Sequence, residues 1–331
     1  MAKVSVIIPN YNHASYLQQR IDSVLNQTFQ DFEVILLDDA STDGSQDLLK
    51  LYEKHPKVSH LIFSQVNSGS PFKSWKKGIE LSRGTYVWIA ESDDFADLDF
   101  LKFTVAILDA KPSAGLTFTN SVIVDGQGNE TLLLQNGNRY QIPFDKPYCI
   151  LNHDLHFFSY YVHDLVIGNA SSVLFRRQLL TQVDQDLMST FKNAGDLYVY
   201  LSMALQSDII FTNKPLNYFR KHVANTTKLN AANGFLYQDR VRILTQLSGD
   251  LLSFKDSDKE LQLFLKRHYL VCSDFGFIPE LKALLKVLHK HDVLTGLSYW
   301  HLRGFCFFKL IVAHEPPYFY RKFIKKQLES L

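Results

Sequence analysis

The chain has 331 residues, with 35 Lys+Arg against 34 Asp+Glu, enough for one large domain or two modest ones and too evenly charged to make a general case for nucleic acid. Its three cysteines, Cys149, Cys272 and Cys306, are odd in number and far apart, which argues against a disulfide framework or a zinc site and for a reducing, cytoplasmic setting. Met1-Ala2-Lys3 leads directly into the apolar run Val4–Ile8, which is too short for a signal sequence or a membrane span, so the four Asn-x-Ser/Thr tripeptides read as chance.

The first third alternates in period. Val4 to Ile8 predicts a buried strand, and Ser15 to Gln27 a helix with Leu17, Ile21, Val24 and Leu25 on one face. Strands at 32–37 and 58–63 bracket a helix at 43–52. The polar loop 65–71 opens a helix ending near Arg83-Gly84, with Gly84 as its C′ residue. A fourth strand at 85–90 and a helix at 98–110 complete a β-α-β-α order, the signature of a doubly wound, mostly parallel α/β sheet. A hairpin follows: 116–124, the loop Asp125-Gly126-Gln127-Gly128-Asn129, and a return from Glu130. Residues 136–165 are aromatic-rich and irregular. A strand at 168–177, a helix at 194–206 and a short strand at 209–211 come next. From about Phe235 the spacing is helical, at 240–252, 260–271, 279–289 and 293–312.

Chemistry concentrates at strand ends. Asp38-Asp39 closes FEVILLDD and Glu91-Ser92-Asp93-Asp94 closes TYVWIAESDD. In an open α/β sheet, ligands bind beyond the carboxyl ends of the strands. Carboxylates alone repel a phosphate, so acids at that edge suggest a divalent cation, Mg²⁺ or Mn²⁺, with a polyphosphate-type ligand. The bland readings are a solvated turn at 91–94 and, near Asp43, capping of the next helix by Ser41 or Thr42. Pro9-Asn10-Tyr11 is either a turn or a stacking ring at the same edge. Asp196 is either an N-cap or a carboxylate placed to take a proton from a hydroxyl. Arg220 and His222 follow a strand and have the chemistry to meet a diphosphate or a metal. No phosphate-binding G-x-x-x-x-G-K-[ST] loop, G-x-G-x-x-G fingerprint or G-x-S-x-G elbow occurs.

Together, VSVIIPNYN, SVLNQTFQDFEVILLDDASTDGS, SRGTYVWIAESDDF, NAGD ahead of a helix, and YFRKH resemble the family 2 glycosyltransferases, inverting enzymes with the GT-A fold. AESDD and GNASSVLFRR are similar to bacterial members that build surface polysaccharides. The matching stretches cover most of residues 1–222. The resemblance implies a GT-A catalytic domain over 1–225, with a nucleotide-sugar half (1–115) and an acceptor half (116–225), followed by a helical region over 226–331. It implies Pro9 and Tyr11 lining the nucleotide pocket, Asp39 on the base (commonly uracil) and Asp93 near the ribose or phosphate. It further implies Asp94 as the direct metal ligand, Asp196 as general base, and Arg220 and His222 at the diphosphate or metal. The expected donor is a UDP-sugar and the expected acceptor a glycan or lipid-linked saccharide. Two departures stand out: Glu91 where many relatives have Asp, and Gly195-Asp196 where many have Glu-Asp.

Two other readings stay open, a non-catalytic nucleotide- or glycan-binding module on the same fold and a sugar nucleotidyltransferase. The second normally carries a Gly- and Arg/Lys-rich loop after the first strand, where this chain has Pro9-Asn10-Tyr11-Asn12-His13. The aromatic run 300–312, with Arg321, Lys322, Lys325 and Lys326 beyond it, suits either peripheral contact with the inner face of the plasma membrane or packing on the catalytic domain.

Overall fold

The computed structural model describes residues 2–133, 148–151, 167–222, 233–251 and 277–290, with single positions at 300, 302 and 322. The expected irregular stretch 136–165 (148–151 apart), the helices expected at 260–271 and 293–312, and the basic tail lie outside the described residues, those single positions excepted. The chain divides into two compact units. One comprises Met1–Asn152, Val166–Phe191 and Gly195–Asn225; the other comprises His153–Leu165, Lys192–Ala194 and Thr226–Leu331.

The first unit opens with β1 (Val4–Asn10), α1 (Ala14–Leu25), β2 (Phe32–Asp38), α2 (Ser45–Lys50), β3 (Val58–Phe63), α3 (Pro71–Leu81) and β4 (Tyr86–Ile89). These strands form the parallel run β3-β2-β1-β4. β1 is buried along its whole length, which its uninterrupted apolar run anticipates. Alternation divides it between two layers. Val4, Val6 and Ile8 pack in a core with Leu17, Ile21 and Val24 of α1 and with Phe100, Leu101, Val105 and Leu108. Ile7 turns the other way, so close to α3 that a Cβ on Gly78 would lie 2.4 Å from its side chain.

Beyond β4 come β5 (Phe95–Ala96), α4 (Phe100–Ala110), β6 (Ala114–Val124), β7 (Glu130–Leu133), β8 (Cys149–Leu151) and β9 (Val173–Arg176). They are followed by α5 (Arg177–Leu180), α6 (Gln185–Ser189), α7 (Gly195–Ala204) and β10 (Asp208–Arg220). The expected parallel order holds across β3-β2-β1-β4, and the sheet turns mixed beyond β4. β9 lies between β4 and β6 and runs antiparallel to both, and β5, β7 and β8 also pair antiparallel; the sheet is mixed, in the order β3-β2-β1-β4-β9-β6-β10-β5. The short strand expected at 209–211 is the start of a strand that continues to Arg220. Its polar middle, Asn213 and Lys214 with Pro215, coincides with register shifts against β6, which masked its length in the sequence pattern.

Gly84 is not a left-handed cap. Helix α3 ends at Ser82 in extended backbone, and a Cβ on Gly84 would meet Ser5 N at 2.6 Å and Val4 C at 2.8 Å. The residue is glycine because two backbones cross there. Nor do Ser41 or Thr42 cap α2, whose N-cap is Gly44 at φ 93°.

In the second unit, α8 (Phe235–Leu251) and α9 (Ile278–Lys290) bury Val241, Leu244, Leu281, Leu284 and Leu288. Gln238 Nε2 donates to Glu280 Oε1 at 2.7 Å. Asp239 accepts from the backbone N–H groups of Lys192, Asn193 and Ala194 at 2.8, 2.6 and 3.1 Å. No helix among the described residues is long and apolar enough to cross a membrane.

Candidate functional site

The carboxyl ends of β1, β2 and β4 and the end of β10 bring Asn10, Asp38, Asp93, Asp94, Arg220 and His222 to one edge of the first unit, whereas Asp196 is carried by α7. The loops after β1 and β2 are stitched to each other. Asn10 Nδ2 donates to Asp38 Oδ2 (2.8 Å) and Ser41 Oγ (3.1 Å), Asp39 N donates to Asn10 O (2.9 Å), and Thr42 N donates to Asn12 Oδ1 (2.8 Å). Asn12 and Ala40 sit at φ 55° and 62°, a left-handed conformation that costs a non-glycine residue ~1–3 kcal/mol and that this network holds in place. Pro9 is buried within β1, past the last β1–β4 pair at Ile7, while Tyr11 stands 45% exposed beyond the strand. Asp39 is buried, and its carboxylate accepts from Ser68 N and Ser68 Oγ, tying down the loop that leads to α3.

After β4 the two adjacent acids part company. Asp94 is 1% exposed and points inward. Its Oδ2 accepts from Asn169 Nδ2 (2.9 Å) and Ser171 Oγ (2.7 Å), its Oδ1 accepts from Arg220 N (2.9 Å), and Arg20 Nη2 lies 3.9 Å away. Burial, then the neighbouring Asp93 charge, push its pKa up to about 6. Asp93 points the other way, with Oδ2 3.1 Å from His222 Nε2. Burial opposes its charge, yet the His222 hydrogen bond and the nearby His13 and His222 hold its pKa below the usual carboxylate value. Ligand atoms of His13, Asp93 and His222 all lie within 4.8 Å of one another. Two imidazoles and a carboxylate are a donor set that suits a divalent first-row cation. The sequence reading puts Asp94 and His222 on a cation with Asp93 beside them; the side chains that cluster in the structure are Asp93 and His222, with His13, which the sequence reading does not assign. His13 was legible only as the residue closing Pro9-Asn10-Tyr11-Asn12-His13 at this sheet edge.

Glu91, the first departure, accepts from Trp75 Nε1 of α3 at 2.7 Å, and burial followed by the Asp93 charge push its pKa up to about 8. Arg20, also unanticipated, is fully buried on α1 and donates from Nε to Glu91 O at 2.8 Å. The second departure has a steric cause. A Cβ on Gly195 would lie 2.6–2.8 Å from the ring of Phe72, so no side chain fits beside Asp196 in this packing. Asp196 is not the N-cap of α7 but lies in its first turn, where its Oδ1 accepts from Leu197 N at 2.8 Å and the positive end of the helix dipole suits a carboxylate.

Arg220 does not present its guanidinium as expected of a diphosphate contact. The residue is 2% exposed; Nε donates to Asp93 O (2.8 Å), Nη1 to Asp125 O (3.1 Å) and Gly126 O (3.3 Å), and Nη2 to Gln19 Oε1 (2.6 Å). It also stacks over Tyr16, 4.6 Å from the ring centroid. The planar fork spans the loop after β4, the β6–β7 turn and α1, which a lysine cannot reproduce. Arg220→Lys is therefore expected to lower the midpoint of thermal unfolding in nucleotide-free protein, by ~1–3 kcal/mol of stability for the acceptors it strands. An unchanged midpoint with a raised donor KM would instead put the guanidinium on the diphosphate.

A parallel half with acids at the ends of β2 and β4, joined to a mixed half that returns a histidine to the same edge, defines a GT-A type of glycosyltransferase fold. Residues 5–165, just under half of the chain, match the Glycosyl transferase family 2 model, and the chain is related to bacterial surface-polysaccharide synthases. It is 41% identical over 91 residues to a putative teichuronic acid biosynthesis glycosyltransferase, TuaG, of Bacillus subtilis, covering 28% of this chain and 36% of that one. The curated relatives it matches are spanned over only 13% to 55% of their own length. The fold is similar to that of S. aureus TarS 1-349 in complex with UDP-GlcNAc, with TM-score 0.68, 19% identity, and 99% of this chain and 90% of that one covered. It is similar also to a mannosyltransferase of Pyrobaculum calidifontis in complex with GDP-Man and Mn²⁺, with TM-score 0.52, 17% identity, and 99% and 85% covered.

Proposed function

We propose that the chain transfers a sugar from a nucleoside-diphosphate donor, a UDP-sugar, to a hydroxyl of a glycan or lipid-linked acceptor, with inversion, in the building of a bacterial surface polysaccharide. The observation that carries this reading is the Asp93–His222 pair, 3.1 Å apart at the edge where β1, β2 and β4 end, the binding edge of such a sheet. The TarS complex with UDP-GlcNAc and the mannosyltransferase complex with GDP-Man and Mn²⁺ support the donor class and the cation.

Asp93 and His222 would hold a divalent cation, Mn²⁺ or Mg²⁺. That ion supplies positive charge to offset what builds on the departing diphosphate. The rest falls to the chain. Tyr11, exposed beyond β1, offers a face on which a base stacks, and Asp39 offers a carboxylate at its edge once it shares the Ser68 bonds. Asp196 takes the proton from the acceptor hydroxyl as its oxygen attacks the anomeric carbon. The new C–O bond forms on the face opposite the breaking bond to the diphosphate. One displacement with one base inverts the centre and needs no covalent enzyme intermediate, the logic that separates inverting from retaining glycosidases.

The direct test is thermal unfolding with UDP, dTDP, GDP and ADP, each with and without Mn²⁺. A ligand at ~100 times its Kd stabilises by ~2.7 kcal/mol, so a Mn²⁺-dependent shift confined to UDP is expected. A well-folded sample that shifts with none of the four would overturn the reading.

A further inference from the structure

We propose that His13 is a third protein ligand of the cation site, so that this chain binds a borderline first-row cation such as Mn²⁺, Co²⁺ or Zn²⁺ before any nucleotide arrives and discriminates against Mg²⁺. The inference rests on the reading that Asp93 and His222 hold a cation, and it goes beyond that reading in ligand count, cation class and order of binding.

His13 occupies the N-cap position of α1, yet its side chain makes no capping bond. The imidazole reaches instead to the loop after β4, where Nδ1 lies 2.8 Å from Ser92 Oγ. Its ring meets that of His222 edge-on at 5.7 Å between centroids and that of Tyr16 at 6.1 Å. With Nδ1 held by Ser92, the ligating nitrogen in this proposal is Nε2. A partner on the far ring nitrogen is the usual arrangement for a metal-binding histidine, because it fixes tautomer and orientation.

Reach is adequate. Three atoms bound at about 2.1 Å to one ion lie about 3.0–3.6 Å apart, so donor atoms already within 4.8 Å of one another close on an ion by about 1–2 Å of approach shared between each pair. Two elements distant in sequence therefore converge on Asp93, His13 from the start of α1 and His222 from just beyond β10.

The third ligand changes which ions the site takes and when. A site of one carboxylate and one imidazole depends on diphosphate oxygens for the rest of its affinity. Mg²⁺ demands oxygen ligands and is usually bound by carboxylates together with substrate phosphates. A second imidazole adds little for Mg²⁺ but favours ions that accept nitrogen. Three protein ligands hold such an ion without nucleotide, which makes cation first and donor second the preferred order.

The experiment uses the full chain without nucleotide, titrated with MnCl₂, CoCl₂, ZnCl₂ and MgCl₂ by calorimetry, with pulsed EPR on the Mn²⁺-loaded protein to count coupled imidazole nitrogens. Wild type is expected to bind Mn²⁺ without nucleotide, to show two imidazoles, and to bind Mg²⁺ far more weakly. His13→Gln should show one imidazole and lose at least about tenfold in nucleotide-free Mn²⁺ affinity, yet still bind Mn²⁺ when UDP is present. One coupled imidazole in wild type, lost in His222→Gln and kept in His13→Gln, would overturn the proposal, make His13 a tether to Ser92 and leave the Asp93–His222 reading standing. Mn²⁺ binding with no nitrogen coupling in wild type, even with UDP, would sink both. Counting nitrogens in wild type requires no variant to fold.

Discussion

Asp196→Asn is expected to lower kcat by ~10²–10⁴-fold, the usual contribution of a general base, while Mn²⁺-dependent UDP binding and thermal stability stay close to wild type. The substitution separates the two roles available to this side chain. Asn serves as well as Asp for short-range bonding at a helix start, and the amide oxygen can still accept from Leu197 N. What the amide cannot do is accept a proton from an attacking hydroxyl. A purely structural Asp196 would leave turnover intact. The loss should also be uncushioned, because the ring of Phe72 fills the space next to Gly195 and leaves no room at 195 for the neighbouring carboxylate that many relatives carry. Single-turnover transfer from a UDP-sugar, read beside a UDP thermal shift on the same preparation, checks both halves. Near-full transfer by Asp196→Asn would remove Asp196 from the chemistry.

The parallel half of the fold was legible because its strands are continuous apolar runs ending in polar clusters, and period alone marks a strand buried on both faces. The antiparallel insertion of β9 between β4 and β6 was not, since no local pattern records which distant strand a segment will pair with. The same limit governs the site. The sequence placed acids just past the end of β4, but Glu91 to Asp94 form a turn closed by Asp94 N donating to Glu91 O at 3.2 Å, and the strand period of two says nothing of which carboxylate in a turn faces a ligand and which the interior. Here the choice is set by Asn169, Ser171 and Arg220 N, donors that lie 75 to 126 positions away and converge on Asp94. Asn169 was visible in the sequence within an Asn-x-Ser tripeptide and in the stretch GNASSVLFRR, neither of which says what it touches; in the fold its amide donates to Asp94 and its oxygen accepts from Asn217 Nδ2.

That partition gives the largest expected effect on stability. Asp94→Asn should cost ~3–5 kcal/mol, the scale for removing one partner of a buried charged cluster, out of the ~5–15 kcal/mol that holds a typical domain together. Two side-chain donors and one backbone N–H converge on the Asp94 carboxylate, whereas an amide has a single oxygen and turns its own N–H₂ toward the remaining donor. Arg20 fares worse. Its Nη1 and Nη2 have no hydrogen-bond partner among the described residues, and Asp94 at 3.9 Å is the anion nearest in charge balance to its buried guanidinium. Burial, opposed chiefly by Asp94, already draws the Arg20 pKa down to about 10. Asp93→Asn is expected to behave in the opposite way. It forfeits the His222 contact at a cost of about 1 kcal/mol but abolishes the Mn²⁺-dependent part of UDP binding. Urea unfolding curves and UDP–Mn²⁺ thermal shifts on the two variants give a crossed pattern: Asp94→Asn unstable, Asp93→Asn stable and unresponsive to Mn²⁺. Should Asp94→Asn keep its stability and lose Mn²⁺ binding, the ligand would be Asp94, as the family resemblance implies, and the inward hydrogen bonds would have to give way when the cation binds.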